Sequence, residues 1–93
     1  MDIRYDPAKN ERNIRERGLS FERAADFDFE MAIFWVDTRR DYGEVRQLGL
    51  GYLDNRLHVI CFTEIAGGIR VISLRRANSR EARRYENAKA LNR

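Results

Sequence analysis

The sequence predicts an α+β fold, in which one antiparallel β-sheet carries two N-terminal helices and one C-terminal helix in the order β-α-α-β-β-β-β-α. Helix start and stop signals occur near the two ends of the chain. Residues 31–75 contain apolar or alternating segments typical of strands, with short turn sequences between them. Short connections require antiparallel neighbours. The 93 residues suffice for one domain, so residues 1–93 are interpreted as a single domain.

The first 30 residues predict a short strand followed by two helices. Ile3–Tyr5 is the strand. Asp6 is expected as the N-cap of a helix over Pro7–Arg17, because aspartate accepts the free N–H groups there and proline suits the first helical position. Gly18 ends this helix, since glycine tolerates the left-handed C-cap conformation. Ser20 caps a second, short helix.

The middle of the chain predicts four strands. Asp54–Asn55 and Ala66–Gly68 have compositions typical of tight hairpin turns. The strand next to both turns is apolar on both faces, which favours a central position in the sheet. The predicted strands are Met31–Val36, Glu44–Leu53, Arg56–Glu64 and Ile69–Arg75.

The basic charge of the chain is concentrated in its last quarter. Residues 70–93 contain eight Lys or Arg and two Asp or Glu, a net charge of +6. Residues 1–30 and 31–69 have net charges of −2 and −1. Arginine outnumbers lysine sixteen to two, and arginine binds phosphate in a bidentate manner. This asymmetry is typical of a phosphate-binding face, although a solvated helix gives the same pattern.

Several classes of site are disfavoured. Cys61 is the only cysteine, which excludes an internal disulfide, and it lies in an apolar run where a core position is expected. His58 is the only histidine and lies mid-strand, so a satisfied core histidine is favoured over a ligand. Met31–Val36, the longest apolar stretch, is too short to span a bilayer. The first residues lack a signal-peptide pattern, so we expect a cytoplasmic protein without membrane association, metal or cofactor.

The segment Arg70–Ser73 is the first part of the strongest polar constellation. Strict alternation along a strand places Arg70 and Ile72 on one face and Val71 and Ser73 on the other.

The second part lies where this strand ends. Arg75 and Arg76 are followed within a few residues by a capping box of Asn78 and Glu81, which starts a helix over Ser79–Leu91. A helix N-terminus contributes partial positive charge and free N–H groups. The two arginines are therefore consistent with a phosphate cradle, and equally with solvated side chains in a connection.

Other candidates are dispersed along the chain. Tyr85 has the helical spacing of a core residue, and it is also able to stack on a base or to bind a phosphate. Lys9 is exposed by pattern on the first helix. Glu44 and Glu64 flank strands and are candidate general bases. The available chemistry is metal-independent phosphate transfer, in which arginines stabilise the transition state while a base assists an RNA 2′-hydroxyl.

Short motifs along almost the whole chain occur in the order found in one toxin family. They are Asp6-Pro7-Ala8-Lys9 with Asn13; Gly18-Leu19-Ser20-Phe21-Glu22 with Ala24; Gly43-Glu44 with Arg46 and Gly49; and Arg70-Val71-Ile72-Ser73 with Arg75, Ala77, Arg80, Glu81, Arg84, Tyr85 and Glu86. Each motif is weak alone, but the set is specific. The chain resembles the BrnT family of toxins.

The resemblance implies a RelE-like fold and a ribonuclease that arrests growth by blocking translation. It also implies neutralisation by a BrnA-like antitoxin with a ribbon-helix-helix DNA-binding domain. The toxin–antitoxin complex would repress its own operon, so the toxin would meet operator DNA only through the antitoxin.

One position departs from the family pattern. Relatives often have Lys-His before the glycine that corresponds to Gly18, whereas Glu16 and Arg17 occupy those positions here. Arginine is able to hold a phosphate but its pKa is too high for proton transfer. The predicted catalytic residues are Lys9, Glu44, Arg70, Arg75 and Tyr85, and the predicted RNA-binding residues are Arg17, Arg46, Arg76, Arg80 and Arg84.

Two other functions are consistent with the same basic face. One is a non-catalytic module that binds RNA or the ribosome, for which binding would be salt-sensitive and cleavage absent. The other is an interaction protein whose basic helix docks an acidic partner, because the thin apolar stripes of the first and last helices leave surface for a partner to cover.

Overall fold

The computed structural model describes residues 1–91. The order of elements confirms the predicted β-α-α-β-β-β-β-α arrangement and the α+β class. The second of the predicted helices is a short 3₁₀ helix. The strands are β1 (Asp2–Arg4), β2 (Ile33–Val36), β3 (Gln47–Leu53), β4 (Arg56–Ile65) and β5 (Gly68–Arg76), and the helices are α1 (Pro7–Arg17), the 3₁₀ helix (Phe21–Asp26) and α2 (Ser79–Leu91).

The five strands form one sheet in the order β1-β5-β4-β3-β2. The pairs joined by consecutive connections, β2–β3, β3–β4 and β4–β5, are antiparallel as predicted. β1 differs, because it pairs in parallel with β5, with Ile3 opposite Ile69. Turn chemistry could not predict this pairing, since β1 and β5 are far apart in the sequence and no hairpin joins them.

The predicted helix boundaries are confirmed by their caps. The Asp6 carboxylate accepts a hydrogen bond from the Ala8 backbone N–H at 2.9 Å. Gly18 has φ of 69° and its N–H donates to the carbonyl of Ile14, which ends α1. The Ser20 hydroxyl accepts from the Glu22 backbone N–H at 3.2 Å. These local bonds satisfy groups that helix ends leave free, so the short sequence signals sufficed to place α1 and the 3₁₀ helix.

The main core lies between the sheet and the N-terminal helices. Asn13 of α1 is buried and its amide donates to the carbonyls of Leu19 and Leu74, both at 2.9 Å. This residue joins α1 to β5 because α1 has few apolar side chains to bury. The buried apolar side chains of this core are Phe21, Ala24, Phe27, Leu53, Ile60, Phe62, Ile69, Val71 and Leu74.

The opposite face of the sheet carries α2. A smaller buried cluster here contains Leu50, Val59 and Tyr85. α2 packs chiefly against β3. On the part of this face formed by β5, polar side chains from several strands and loops lie beside the first turn of α2.

The pairing of β4 with β5 contains a β-bulge. Phe62 lies opposite Val71 and Cys61 lies opposite Ser73, so Ile72 is an extra residue. The predicted alternation from Arg70 to Ser73 is therefore wrong, because the bulge puts Ser73 on the face of Arg70. Val71 and Ile72 are consecutive apolar residues, but the sequence alone does not show which residue is extra, because that depends on the pairing with β4.

The interpretations of His58 and Cys61 as core residues are confirmed. Both are buried, and the Nδ1 atom of His58 lies 2.8 Å from the carbonyl oxygen of Arg56. Burial raises the pKa of the Cys61 thiol. Within residues 1–91, no three His, Cys, Asp or Glu side chains are grouped as metal ligands. No helix in the described part of the chain is long and apolar enough to cross a membrane.

Candidate functional site

Glu44 connects two arginines on the face of the sheet that also carries α2. Arg70 Nη2 donates to both carboxylate oxygens of Glu44, at 2.6 and 2.7 Å, and Arg46 Nε donates to one of them at 3.0 Å. The hydrogen bond from Arg46, followed by that from Arg70, holds the pKa of Glu44 below its ordinary value. Glu44 is therefore a carboxylate at neutral pH, held next to two guanidinium groups.

Arg75 has a comparable partner in the first turn of α2. Its Nη1 and Nη2 atoms donate to the two oxygens of Glu81 at 2.8 and 2.9 Å. Glu81 also accepts from the Asn78 backbone N–H at 2.9 Å, while Asn78 caps the Glu81 N–H at 2.8 Å, which confirms the predicted capping box. The ion pair lowers the pKa of Glu81 and raises that of Arg75. One carboxylate thus fixes both the helix start and the Arg75 guanidinium.

A fourth arginine, Arg39, reaches this face from the loop after β2. The Asp37 side chain is only 1% exposed and accepts from Arg39 Nε at 2.9 Å and Nη2 at 2.7 Å. It also accepts from the Arg39 backbone N–H and from the Tyr42 hydroxyl, both at 3.1 Å. These bonds, led by the side chain of Arg39, lower the pKa of Asp37 strongly. The buried carboxylate therefore orients Arg39, whose own side chain is 73% exposed.

These groups border a cavity of about 240 Å³. Its apolar lining comes from the strands, and its polar lining comes from β5, α2 and the loop after β2. The Arg84 guanidinium lies over the ring of Trp35, 3.9 Å from the ring centroid, which connects α2 to β2 at this place. The lining residues are Trp35, Leu48, Val59, Arg39, Ser73, Arg75 and Glu81.

A second groove of about 270 Å³ lies between α1 and β5. Lys9 and Arg17 line it together with Arg12. Ser73 lines both this groove and the cavity beside Arg75, so the two depressions meet at the bulge of β5. Two predicted residues of α1 therefore lie near the face of the sheet that carries Arg70 and Arg75.

A comparison with known families identifies the kind of protein to which this site belongs. Residues 5–81 match the family described as the ribonuclease toxin BrnT of type II toxin–antitoxin systems. The chain belongs to the BrnT family. It is therefore a ribonuclease toxin of a type II system, which implies a cognate antitoxin. No curated protein is similar enough to be matched.

The matched range of this BrnT family member includes most of the predicted site. Arg46, Arg70 and Glu44 form one ion-paired group, and Arg75 lies on the same face. Arg70 lies opposite Thr63, and Arg75 lies opposite Val59. Because Thr63 and Val59 share a face of β4, the two arginines share the same face of the sheet.

Two other predicted residues, Arg76 and Arg80, lie apart from this group. Arg76 lines a different cavity with Tyr52, near the far end of β3. Arg80 is exposed in the first turn of α2. The predicted cradle of Arg75 with Arg76 is therefore not formed, since consecutive strand residues point to different sides.

Tyr85 is buried between α2 and the sheet. Its hydroxyl donates to the carbonyl of Met31 at 3.1 Å, and its ring meets that of Tyr52 edge-to-face at 5.5 Å. Burial raises the pKa of the Tyr85 hydroxyl. These contacts support the packing interpretation of Tyr85 rather than contact with RNA.

The sequence interpretation missed Arg39 and Trp35 of this BrnT family member. Both lie where an apolar strand passes into a polar loop, and such loops usually remain solvated. The one signal in the sequence was Asp37, an acidic residue directly after the strand. The burial of its side chain, which orients Arg39, is not visible in the sequence.

Proposed function

We propose that this BrnT family toxin cleaves RNA on the arginine face, which we define as Arg39, Arg46, Arg70, Ser73 and Arg75. The observation that carries the proposal is the bulge at Ile72, because it places Arg70, Ser73 and Arg75 on one open side of the sheet. The strand partners of the two arginines are four residues apart, a separation of about 13 Å. One strand of RNA can therefore extend along β5 and contact both guanidinium groups.

The proposed reaction is attack of an RNA 2′-hydroxyl on the adjacent phosphorus. A bond forms between the 2′-oxygen and phosphorus, and the bond from phosphorus to the 5′-oxygen breaks, which leaves a 2′,3′-cyclic phosphate and a 5′-hydroxyl. Glu44 accepts the 2′-hydroxyl proton, because it is ionised at neutral pH. Arg70 and Arg75 stabilise the charge that develops on the phosphate oxygens.

Lys9 is proposed to donate a proton to the leaving 5′-oxygen. It is exposed, and the groove that it lines meets the arginine face at Ser73. Arg17 lines the same groove and would hold a neighbouring phosphate. The departure from the family at this position therefore leaves a phosphate-binding group in place.

The proposed reaction does not require a metal ion, since guanidinium groups supply the charge stabilisation. The purified toxin is expected to cleave a defined RNA in EDTA and to give cyclic phosphate and 5′-hydroxyl ends. Products with 3′-hydroxyl and 5′-phosphate ends, or activity lost in EDTA and restored by Mg²⁺, would contradict this chemistry. Salt-sensitive binding without any cleavage would instead support the RNA- or ribosome-binding module.

We further propose that cleavage blocks translation and that the cognate antitoxin is BrnA-like, with a ribbon-helix-helix domain that alone contacts operator DNA. The four arginines of the arginine face support an acidic partner segment over it. Induction of the toxin alone should arrest protein synthesis, and co-expression of the antitoxin should restore it. Bulk RNA should compete with the antitoxin for the toxin; binding of both together would contradict a shared face.

A further inference from the structure

The cavity beside Arg75 has the dimensions and lining of a site for one flat heterocycle. Its volume of about 240 Å³ lies just below the range of about 300–1,000 Å³ typical of pockets for larger ligands. Trp35, Leu48 and Val59 give it an apolar floor. An unpaired RNA base needs such a surface for its faces and polar groups for its edge.

The polar groups of the cavity are fixed before any ligand binds. Asp37 accepts from Nε and Nη2 of Arg39, which leaves the Nη1 donors of Arg39 available. Glu81 holds Arg75 in the same way through Nη1 and Nη2. Side chains that are already ordered lose less conformational entropy when they bind a ligand.

We propose that this cavity is a nucleobase subsite that selects guanine at the nucleotide next to the cleaved phosphate. The inference rests on the proposed function, because the subsite is useful only if RNA lies on the arginine face. Ser73 lines the cavity between the positions of Arg70 and Arg75 on that face, so a base bound here belongs to the same RNA strand.

The pattern of donors and acceptors favours guanine. Its N7 and O6 atoms are adjacent acceptors that match a guanidinium group, whereas adenine presents a donor beside N7. A base without two adjacent acceptors forms fewer hydrogen bonds with Arg39, so it binds less tightly than guanine.

The test uses short RNA substrates that are identical except at the nucleotide before the cleaved bond. We expect kcat/KM to be at least about tenfold higher for guanosine than for the other three nucleosides. Replacement of guanosine by 7-deazaguanosine, which lacks the N7 acceptor, should remove most of this preference. Equal cleavage of all four, or preference for another base, would overturn the subsite.

Two variants test whether the preference for guanosine depends on the cavity. Arg39→Gln should reduce the ratio of guanosine to adenosine cleavage to below about threefold, whereas Arg40→Gln, an exposed neighbour in the same loop, should keep the wild-type ratio. If Arg39→Gln unfolds because Asp37 loses its partner, Leu48→Phe serves instead, since a larger side chain fills the cavity floor. An unchanged ratio in the folded variant would overturn the proposal.

Absence of cleavage for every RNA would overturn the proposed function together with the subsite, whereas cleavage without base preference would overturn the subsite alone.

Discussion

Arg70 and Arg75 lie on the same face of the sheet although five positions separate them in the sequence. Regular alternation would put these residues on opposite faces. The extra residue Ile72 shifts the register, so that Arg70 pairs with Thr63 and Arg75 pairs with Val59. Bulges commonly redirect side chains at functional sites. Here the bulge places two arginines on one face of the sheet.

The pH dependence of cleavage tests Glu44 as the base. Its pKa is lowered, so the carboxylate remains able to accept a proton at pH values below its ordinary pKa of 4.5. We expect kcat/KM to fall on the acid side with a midpoint below 4.5 while circular dichroism shows that the protein is folded. Glu44→Gln should lower kcat/KM about 100-fold and abolish its fall at acid pH.

A second variant separates Glu44 from other acidic groups. Arg46 makes the largest contribution to the lowered pKa of Glu44, so Arg46→Ala should move the acid midpoint upward, toward the ordinary glutamate value. If kcat/KM falls at the same acid pH in wild type, Arg46→Ala and Glu44→Gln, the general base is a group other than Glu44.

The Asp37–Arg39 pair should contribute to stability in a pH-dependent way. Asp37→Asn is expected to lower the free energy of unfolding by about 1–3 kcal/mol at pH 7, because a buried ionised acceptor is lost. The pKa of Asp37 is depressed in the folded state, so its contribution is present above the unfolded pKa near 3.8 and is lost as the pH falls below that value. Urea unfolding of both proteins between pH 7 and pH 2.5 measures the difference.

The matched control for this series is Asp41→Asn in the same loop. Asp41 is exposed and accepts only the Gly43 backbone N–H, at 2.9 Å, among the bonds of residues 1–91. Its substitution should change stability by less than about 0.5 kcal/mol at any of these pH values. A constant gap between wild type and Asp37→Asn down to pH 2.5 would mean that ionised Asp37 does not stabilise the fold.

Variants of Asn78 and Glu81 should distinguish the effect of helix capping from the effect of orienting Arg75. Asn78→Ala removes the cap without touching Arg75, so it should cost about 1 kcal/mol of stability and leave kcat within about twofold. Glu81→Gln keeps an oxygen for the Asn78 N–H but removes the charge that holds Arg75. It should lower kcat about tenfold without raising KM, because loss of a negative charge favours RNA binding.

Steady-state kinetics on one RNA substrate, with urea unfolding of the same preparations, distinguishes these effects. An increase in KM with unchanged kcat for Glu81→Gln would indicate that Glu81 contributes to RNA binding and not to the orientation of Arg75. Loss of kcat in Asn78→Ala at full stability would show that the two roles are not separable.

Local chemistry made the architecture predictable from the sequence. Asp6, Gly18 and the Asn78–Glu81 capping box each act within a few residues, and they placed both α-helices at the observed boundaries. β1 illustrates the limit, because its parallel pairing depends on contacts with β5, which is far away in the sequence. No local signal specifies such a partner.

The site was predictable only in part, for the same reason. Glu44, Arg70 and Arg75 were found from residue type and position, but the bulge that unites the two arginines depends on the register of β4. Arg39 was missed because its anchor, Asp37, acts through burial, which a polar loop does not reveal. Long-range packing therefore decides which of many arginines form the site.

If Arg70 and Arg75 act together on RNA, loss of either one lowers kcat/KM for cleavage of a defined RNA in EDTA. Arg70→Ala and Arg75→Ala should each lower kcat/KM by about 10- to 100-fold, as expected for loss of a charged hydrogen bond in the transition state. Arg15→Ala, which removes an exposed arginine of α1, should remain within about twofold of wild type. Wild-type kcat/KM in both Arg70→Ala and Arg75→Ala would contradict cleavage on the arginine face.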